Sequence, residues 1–551
     1  LTETIGIGKG SVTLDDVETA DLLVIVGQNP GTNHPRMLSA LETAKKRGAK
    51  IVSVNPLREA GLSRFDNPQK VLGMLGRGTQ LSNLHLPIRI NGDLALFSAV
   101  NRLLIDNGAI DLGFIAGHCD GLEELTAHLA ELSWPDVVAA TGLTREDVEA
   151  FASLVAGSQR TIICWAMGLT QHRNSVATIR EVVNTLLLRG MIGKPGAGVC
   201  PVRGHSNVQG DRTMGIYERP TEHFLDRMES ALGFPMPREH GVDVVGAIRG
   251  MRDGHIKVLM AMGGNFLSAT PDTAVTDAAL RSCRLTVHVA TKPNRSHLTC
   301  GREALLLPTL GRTDRDVRGG AEQAVTVEDS MSAVHASRGR LEPPSPLLRS
   351  EVAIVCELAQ RVLAERDDVP VPWAAWADDY NLIRDAIARA IPGFENFNER
   401  RDAGFVLPHP PRDARRFATP SGRAQLSVNH LDVVAVPEGH LLLQTIRSHD
   451  QYNTTIYGLN DRYRGIKAGR RVVLVHPDDL AAQGLADGAI VDLVGEGGRR
   501  APRFRTVAYE TPRGCAAAYF PEANVLVPLD SVAEGSGTPT SKSIIVRLEG
   551  V

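Results

Sequence analysis

The stretch Gly193–Gly215 reads GKPGAGVCPVRGHSNVQGDRTMG, and six of its twenty-three residues are glycine. It has no apolar period, so it predicts neither an amphipathic helix nor a half-buried strand. Glycine admits positive φ and close approach of the main chain to a ligand. Between the glycines stand Lys194, Arg203, His205, Asn207, Gln209 and Arg212, donors suited to an anionic ligand with several functional groups. A solvated surface loop could share this composition, so its neighbours along the chain must decide.

Immediately upstream, Ser175–Leu188 has helical spacing. Before it, Thr161–Trp165 reads as a strand that ends in Ala166-Met167-Gly168, with Thr170 and Gln171 just beyond. Further back, Leu22–Val26 is an apolar run stopped by Gly27 and Pro30, residues 35–47 read as a helix, and Lys50–Val54 is a second strand ending in Asn55-Pro56. Residues 87–90 predict another strand before Asn91-Gly92-Asp93 and a helix over 94–107. Thr144 and Asp147 form a capping-box start for a helix to about Val155. Strand, polar turn and helix repeated in this way predict a doubly wound α/β fold, whose ligands bind at the carboxyl ends of the strands. The pattern recurs downstream, with strands over 257–262, 285–290 and 305–307, helices over 273–281 and 350–366, and a Gly263-Gly264-Asn265 turn. Residues 392–420, rich in Pro and Arg, read as a linker or excursion. Beyond them, runs over 441–446, 471–476, 489–494 and 543–548 predict a β-barrel. The expected domains are 1–205 (α/β), 206–391 (α/β), 392–435 (linker) and 436–551 (barrel).

Composition narrows the function. The 551 residues are 43% hydrophobic and 22% charged with net charge −3, which argues against nucleic acid or an anionic membrane surface as partner. No apolar run is long enough to span a bilayer. The seven cysteines are scattered without a C-x-x-C pair, as expected of a reducing, cytoplasmic setting rather than a zinc or disulfide framework. A nucleophile elbow, a phosphate-binding P-loop, H-E-x-x-H and G-x-G-x-x-G are all absent from the sequence. His34 and His205 lie in loops, where a lone histidine is more often structural. Arg203, between Pro201 and Gly204, suits a carboxylate or oxyanion through its planar fork.

Taken together, GKPGAGVCPVRGHSNVQG, VGQNPGTNHP, WAMGLTQ, MGGN, LLLPTLGRTD and TPSGRAQL resemble, in order, the formate-dehydrogenase-like molybdopterin oxidoreductases. The resemblance covers essentially the whole chain. It implies α/β domains clasping two pyranopterin guanine dinucleotides that chelate Mo or W, closed by a C-terminal double-psi β-barrel. Carried over by motif, Gly27, Asn29, Thr32, Asn33, Asn55, Gly92, Asp93, Met167, Gln171, Gly204, Gly264 and Asn265 would line the dinucleotide sites. Arg447, Ser448, Gln451, Tyr452, Asn453, Asn524 and Lys542 would join them from the barrel. Arg203 aligns with the arginine that the family sets beside the metal to orient formate, and His205 stands where the formate enzymes carry glutamine.

The resemblance also implies a metal-ligating Cys or selenocysteine, a [4Fe–4S] cluster upstream of Leu1, and a redox partner subunit. No metal ligand is expected within the chain. Because LTETIGIGKGSV opens like the middle of a domain, the sequence predicts a longer polypeptide, and residues 1–551 alone are expected to be nearly inactive. The expected activity is oxidation or reduction of formate or another small oxyanion. Two other readings share the repeated units: a non-catalytic structural relative, and a thiamine- or nicotinamide-dependent enzyme. The missing phosphate fingerprint disfavours the latter.

Overall fold

The computed structural model describes residues 1–454 and 456–551. The chain forms two compact units, one of residues 1–204, 271–273 and 409–551, the other of 205–270 and 274–408. The stretch expected as a linker, 392–435, is divided between them. It carries short helices at Phe397–Arg400 and Pro410–Ala414, and a strand at Ala424–Gln425 pairs with Cys119–Asp120.

The first unit is built on a parallel sheet. Its strands are β1 (Leu22–Val26), β2 (Lys50–Val54), β3 (Leu84–Leu86), β4 (Thr161–Trp165) and β5 (Gly198–Pro201), in the order β3-β2-β1-β4-β5. All five residues of β1 are buried between β2 and β4, with Val24 opposite both Val52 and Ile163. A strand covered on both faces needs a continuous apolar run, which is what LLVIV supplies. Each buried side chain contributes about 1.5–3 kcal/mol, so a charge at Val24 would break the sheet at its centre. Helices α1 (Met37–Lys46), α2 (Asp93–Asp106), α3 (Arg145–Gly157) and α4 (Ser175–Leu188) pack around it. α3 starts on a true capping box: the Asp147 carboxylate accepts from the Thr144 main-chain N–H at 3.1 Å, and the Thr144 hydroxyl accepts from the Asp147 N–H.

Two expectations need correction. The strand expected over 87–90 lies at Leu84–Leu86, in register with Val52–Val54. Pro87 has no N–H to give a ladder and ends the strand instead of starting it. The glycine-rich stretch is not wholly irregular either. Its Gly198–Pro201 is β5, four buried residues at the sheet edge, and its Val208–Thr213 is a short helix. A fully buried four-residue strand shows no alternation, so a test for period passes over it.

Within the same unit the C-terminal residues form a closed barrel. Its strands are β6 (Leu441–Ile446), β7 (Val472–Val475), β8 (Ile490–Gly495), β9 (Arg500–Ala508), β10 (Cys515–Tyr519) and β11 (Ile544–Gly550), in the order β6-β10-β7-β9-β8-β11. Leu443, Val473, Leu493, Phe504, Ala518 and Val546 fill its centre. The second unit holds a smaller parallel sheet of Val258–Met262, Leu285–Ala290 and Glu303–Pro308, with Leu285–Ala290 in the middle. Among the described residues no helix is long and apolar enough to cross a membrane.

Candidate cofactor and substrate site

The order of the first sheet reverses between β1 and β4, since the chain runs outward from β1 through β2 to β3 and from β4 to β5 on the other side. Ligands of open α/β sheets bind outside the carboxyl ends of the strands at such a switch point. Here the turns leaving β1 and β4 touch main chain to main chain, at Gly27 and Gly168. Gly168 N donates to Gly27 O at 3.0 Å, and Gly27 has φ +56. A Cβ at Gly27 would lie 2.7 Å from Gly168 Cα, and one at Gly168 would lie 2.3 Å from Gly27 Cα. Neither turn therefore accepts a side chain.

The polar side chains of these turns divide into braces and unused groups. Asn29 caps the short helix Pro30–Asn33 by accepting from Thr32 N at 3.3 Å. Asn55 donates to Gln28 O at 3.3 Å and accepts from Leu57 N at 3.1 Å, tying the β2 turn to the β1 turn. By contrast, Gln28 Oε1, Thr32 Oγ1, Gln171 Oε1 and His172 Nδ1 are buried with no hydrogen-bond partner among the described residues. The His172 Nε2–H is committed to Gly168 O at 2.7 Å, so Nδ1 carries the bare lone pair. Burial lowers the His172 pKa to about 4, which keeps the ring neutral. Met167 is exposed, with its sulfur 3.8 Å from the Gln171 amide, and Asn33 is half-buried.

Asp93 opens α2 after the Gly92 turn. Its carboxyl is buried, and burial pushes its pKa up to about 7. Asn91 donates to Asn174 Oδ1 at 2.7 Å, which sets this turn beside the start of α4, two residues from His172.

Arg203 lies two residues beyond the end of β5. Its Nη2 donates to Gly8 O at 3.2 Å, and its carbonyl lies 3.0 Å from His34 Nε2 in the β1 turn. His205, Gly264 and Asn265 belong to the second unit. His205 and Gly264 are exposed. Asn265 is buried and accepts from the Ser296 hydroxyl at 2.8 Å, while Asn294 donates to Gly264 O at 2.7 Å.

The barrel brings cations to the first unit's site. Lys542 N donates to Gln171 O at 3.1 Å, which joins the barrel to the β4 turn. The Lys542 ammonium is buried against Thr445 O, and burial, then Arg447 and Arg464, lowers its pKa to about 7. Arg447 stacks on Phe520 at 3.8 Å; its Nη1 is buried without a partner among the described residues, and burial lowers its pKa to about 10. Two further arginines are paired: Arg464 with Glu59 at 2.6 Å and Asp461 at 2.8 Å, and Arg470 with Glu522 at 2.8 Å. Arg447 and Lys542 have no carboxylate partner among the described residues, so the cluster holds uncompensated positive charge. A buried unpaired charge is costly unless a counter-charge arrives.

Ser448 and Gln451 are spent on structural bonds, within their loop and to Arg470 and Phe520, since Arg470 donates to the Ser448 hydroxyl and to Gln451 Oε1. The Gln451 amide accepts from Ser448 N at 2.9 Å and donates to Asn453 O and Phe520 O, each at 2.7 Å. Asn453 takes the left-handed conformation with φ +46, Tyr452 is exposed and Asn524 is buried. Gln28, His172, Thr445, Arg464 and Arg470 were not anticipated. Gln28 and His172 adjoin residues that the motifs name, and the paired charges of DRYR (461–464) were the available signal for Arg464.

A pyranopterin guanine dinucleotide presents heterocyclic N–H donors and a pyrophosphate. Unsatisfied acceptors at Gln28, Gln171 and His172, with the buried Asp93 carboxyl beside them, suit the first, and Arg447 with Lys542 the second. The residues present fit that group. Among the described residues no cluster of three or more His, Cys, Asp or Glu could hold a metal ion by itself.

Residues 7–296 match the molybdopterin oxidoreductase family, and residues 441–545 match the molybdopterin dinucleotide-binding domain. An uncharacterized oxidoreductase of Mycobacterium tuberculosis is 59% identical over 565 residues, covering 100% of this chain and 72% of that protein. Protein YdeP of Escherichia coli is 41% identical over 571 residues, covering 100% and 75%. Among solved structures, acetylene hydratase from Pelobacter acetylenicus superposes with a TM-score of 0.71 at 16% identity, over 100% of this chain and 80% of that one, a likeness of fold.

Proposed function

Since the chain belongs to the molybdopterin oxidoreductases, we propose that it uses a Mo or W bis-pyranopterin guanine dinucleotide to oxidise or reduce formate or another small oxyanion. The observation that carries this reading is the buried pair Arg447 and Lys542, which leaves the cluster one positive charge in excess and is joined to the switch-point turn through Gln171. Arg447 and Lys542 would hold the dinucleotide pyrophosphate. Asp93, Gln171 and His172 would accept from its N–H groups, and the Gly27–Gly168 contact leaves the strand ends bare for its approach.

When bound, the metal would supply the two-electron redox chemistry. Arg203 binds and orients the anion, and its fixed charge stabilises the negative charge that shifts in the transition state. His205, two residues on, replaces the family's glutamine, which leaves formate one candidate among small oxyanions. A redox partner subunit would take the two electrons when the substrate is oxidised and supply them when it is reduced, and the seven unpaired cysteines suit a reducing cytoplasm.

Dye-linked assays of the metal-loaded protein test the substrate class. We expect turnover with formate as donor or nitrate as acceptor. A fully loaded protein inert to both, and to other small oxyanions, contradicts the substrate reading while leaving the cofactor reading standing.

A further inference from the structure

Resting on the reading of Arg203 as the oxyanion anchor, we propose that His34 is the positioning residue for that arginine. It pins the main chain at Arg203 to the β1 turn at the switch point, so that the guanidinium keeps one orientation.

The need for such a pin follows from the topology. β5 is an edge strand, so the chain leaving it has a ladder partner on one side only. Val202 makes the last ladder bond, donating to Trp165 O at 2.9 Å. One residue later the Arg203 carbonyl is met by His34 Nε2 at 3.0 Å, from a turn 169 residues earlier that lies on the far side of β4. A carbonyl only accepts, so Nε2 carries the proton. Nδ1 is then the acceptor, and the Gln28 amide donates to it at 3.1 Å.

Gln28 is buried and fixed in turn, since its amide nitrogen also reaches Met37 Sδ at 3.2 Å and its main-chain oxygen takes the Asn55 bond. Pro35 restricts the backbone of His34 itself. The relay Asn55–Gln28–His34 thus fixes one ring orientation and one tautomer, and delivers a single hydrogen bond to the arginine that needs placing. At the side-chain end, Gly8 O takes a hydrogen bond from Nη2.

The plainer account is that His34 only staples two loops. The two separate in metal-loaded, full-length protein carrying His34→Leu, His34→Gln or Arg203→Ala. Formate binding is read by titrating the metal's electronic spectrum, pterin content by fluorescence, and amide exchange on the peptide spanning 199–206. A misplacement of 1 Å can cost up to about 10²-fold in function. We expect His34→Leu to weaken formate binding about tenfold or more, to speed exchange of that peptide, and to keep its pterin content. Glutamine, whose amide N and O are spaced like the two ring nitrogens, should restore both readouts.

Wild-type formate binding in His34→Leu, or binding that falls only in step with pterin loss, overturns the inference. A Gln variant no better than Leu does the same. Arg203→Ala separates the layers. If it binds formate normally, the anchor reading itself fails. If it loses binding while His34→Leu does not, the positioning role alone fails.

Discussion

The strand-end turns of the first sheet and the barrel loops that meet them solve opposite halves of one problem. The turns are neutral and rich in acceptors: Gln28, Gln171 and His172 offer unpartnered lone pairs, and Asp93 is a carboxyl raised to about 7 by burial. The barrel side is cationic: among the described residues, Arg447, Arg464, Arg470 and Lys542 are crowded against the three carboxylates of Glu59, Asp461 and Glu522. A ligand with N–H-bearing rings at one end and phosphates along its length satisfies both. Neither region alone would distinguish a heterocycle site from a simple anion site. On the acceptor side, Arg203 is the cation that we propose for the reaction.

The largest expected effect breaks the comparison at that exception. Lysine keeps the charge of Arg203 but not the planar fork, so Arg203→Lys should cost about 10²–10³ in turnover. Its melting temperature and pterin content should stay near wild type, because the half-exposed side chain fills no core. A variant with near-normal turnover would return Arg203 to the role of a loop brace.

On the cationic side, Arg447→Ala should weaken binding of guanosine diphosphate, used as a probe for half of the dinucleotide. The loss is about 1.5–3 kcal/mol for one charge-assisted hydrogen bond, or about 10- to 150-fold. Calorimetric titration checks it. Equal affinity in wild type and variant would mean that the phosphates lie elsewhere.

Asp93 tests the acceptor side in the reverse sense. A carboxyl raised above its unfolded value destabilises the ligand-free fold as pH rises from about 4 to about 7, since the unfolded chain releases its proton first. Asp93→Asn removes that penalty, so the ligand-free protein should melt higher at pH 7.5. It also replaces one acceptor oxygen with an NH2 donor, so pterin content should fall. If melting temperature and pterin content fall together, Asp93 is a structural acid.

The smallest effect concerns proton uptake by Lys542. Its pKa is lowered to about 7, so above that pH the ligand-free folded protein holds it neutral while the unfolded chain keeps it charged. An arriving phosphate favours the ammonium, so binding takes up a proton. Guanosine diphosphate affinity should then fall as pH rises above 7, by up to about tenfold per unit. Lys542→Met should flatten the dependence.

Much of this arrangement was legible in the sequence, and the exceptions share physical causes. Leu22–Val26, Thr161–Trp165 and Ser175–Leu188 were found at their true bounds because continuous burial or helical spacing marks them. Gly198–Pro201 was missed because it is short and buried on both faces, and Arg500–Ala508 because its exposed and buried residues alternate around arginine and proline. Motifs named the turns but not the traffic inside them. Nothing in a linear string shows that Gln451 spends its amide on its own loop, on Arg470 and on Phe520 O, whereas Gln171 leaves Oε1 unused. Nor does it show that His34 reaches across a strand to Arg203. Those distinctions are set by partners 69 to 169 residues away.

The central claim, that acceptor turns and barrel cations together hold a pyranopterin dinucleotide, is tested most directly by its content. The protein is purified from a host that makes the cofactor, and pterin, guanosine monophosphate released on hydrolysis, and Mo or W are measured per chain. The account predicts two guanine dinucleotides and one metal in the wild type, with the dinucleotides lost when Arg447→Ala and Lys542→Met are combined in a folded protein. A folded wild type free of pterin, or a double variant that retains its full complement, would contradict it.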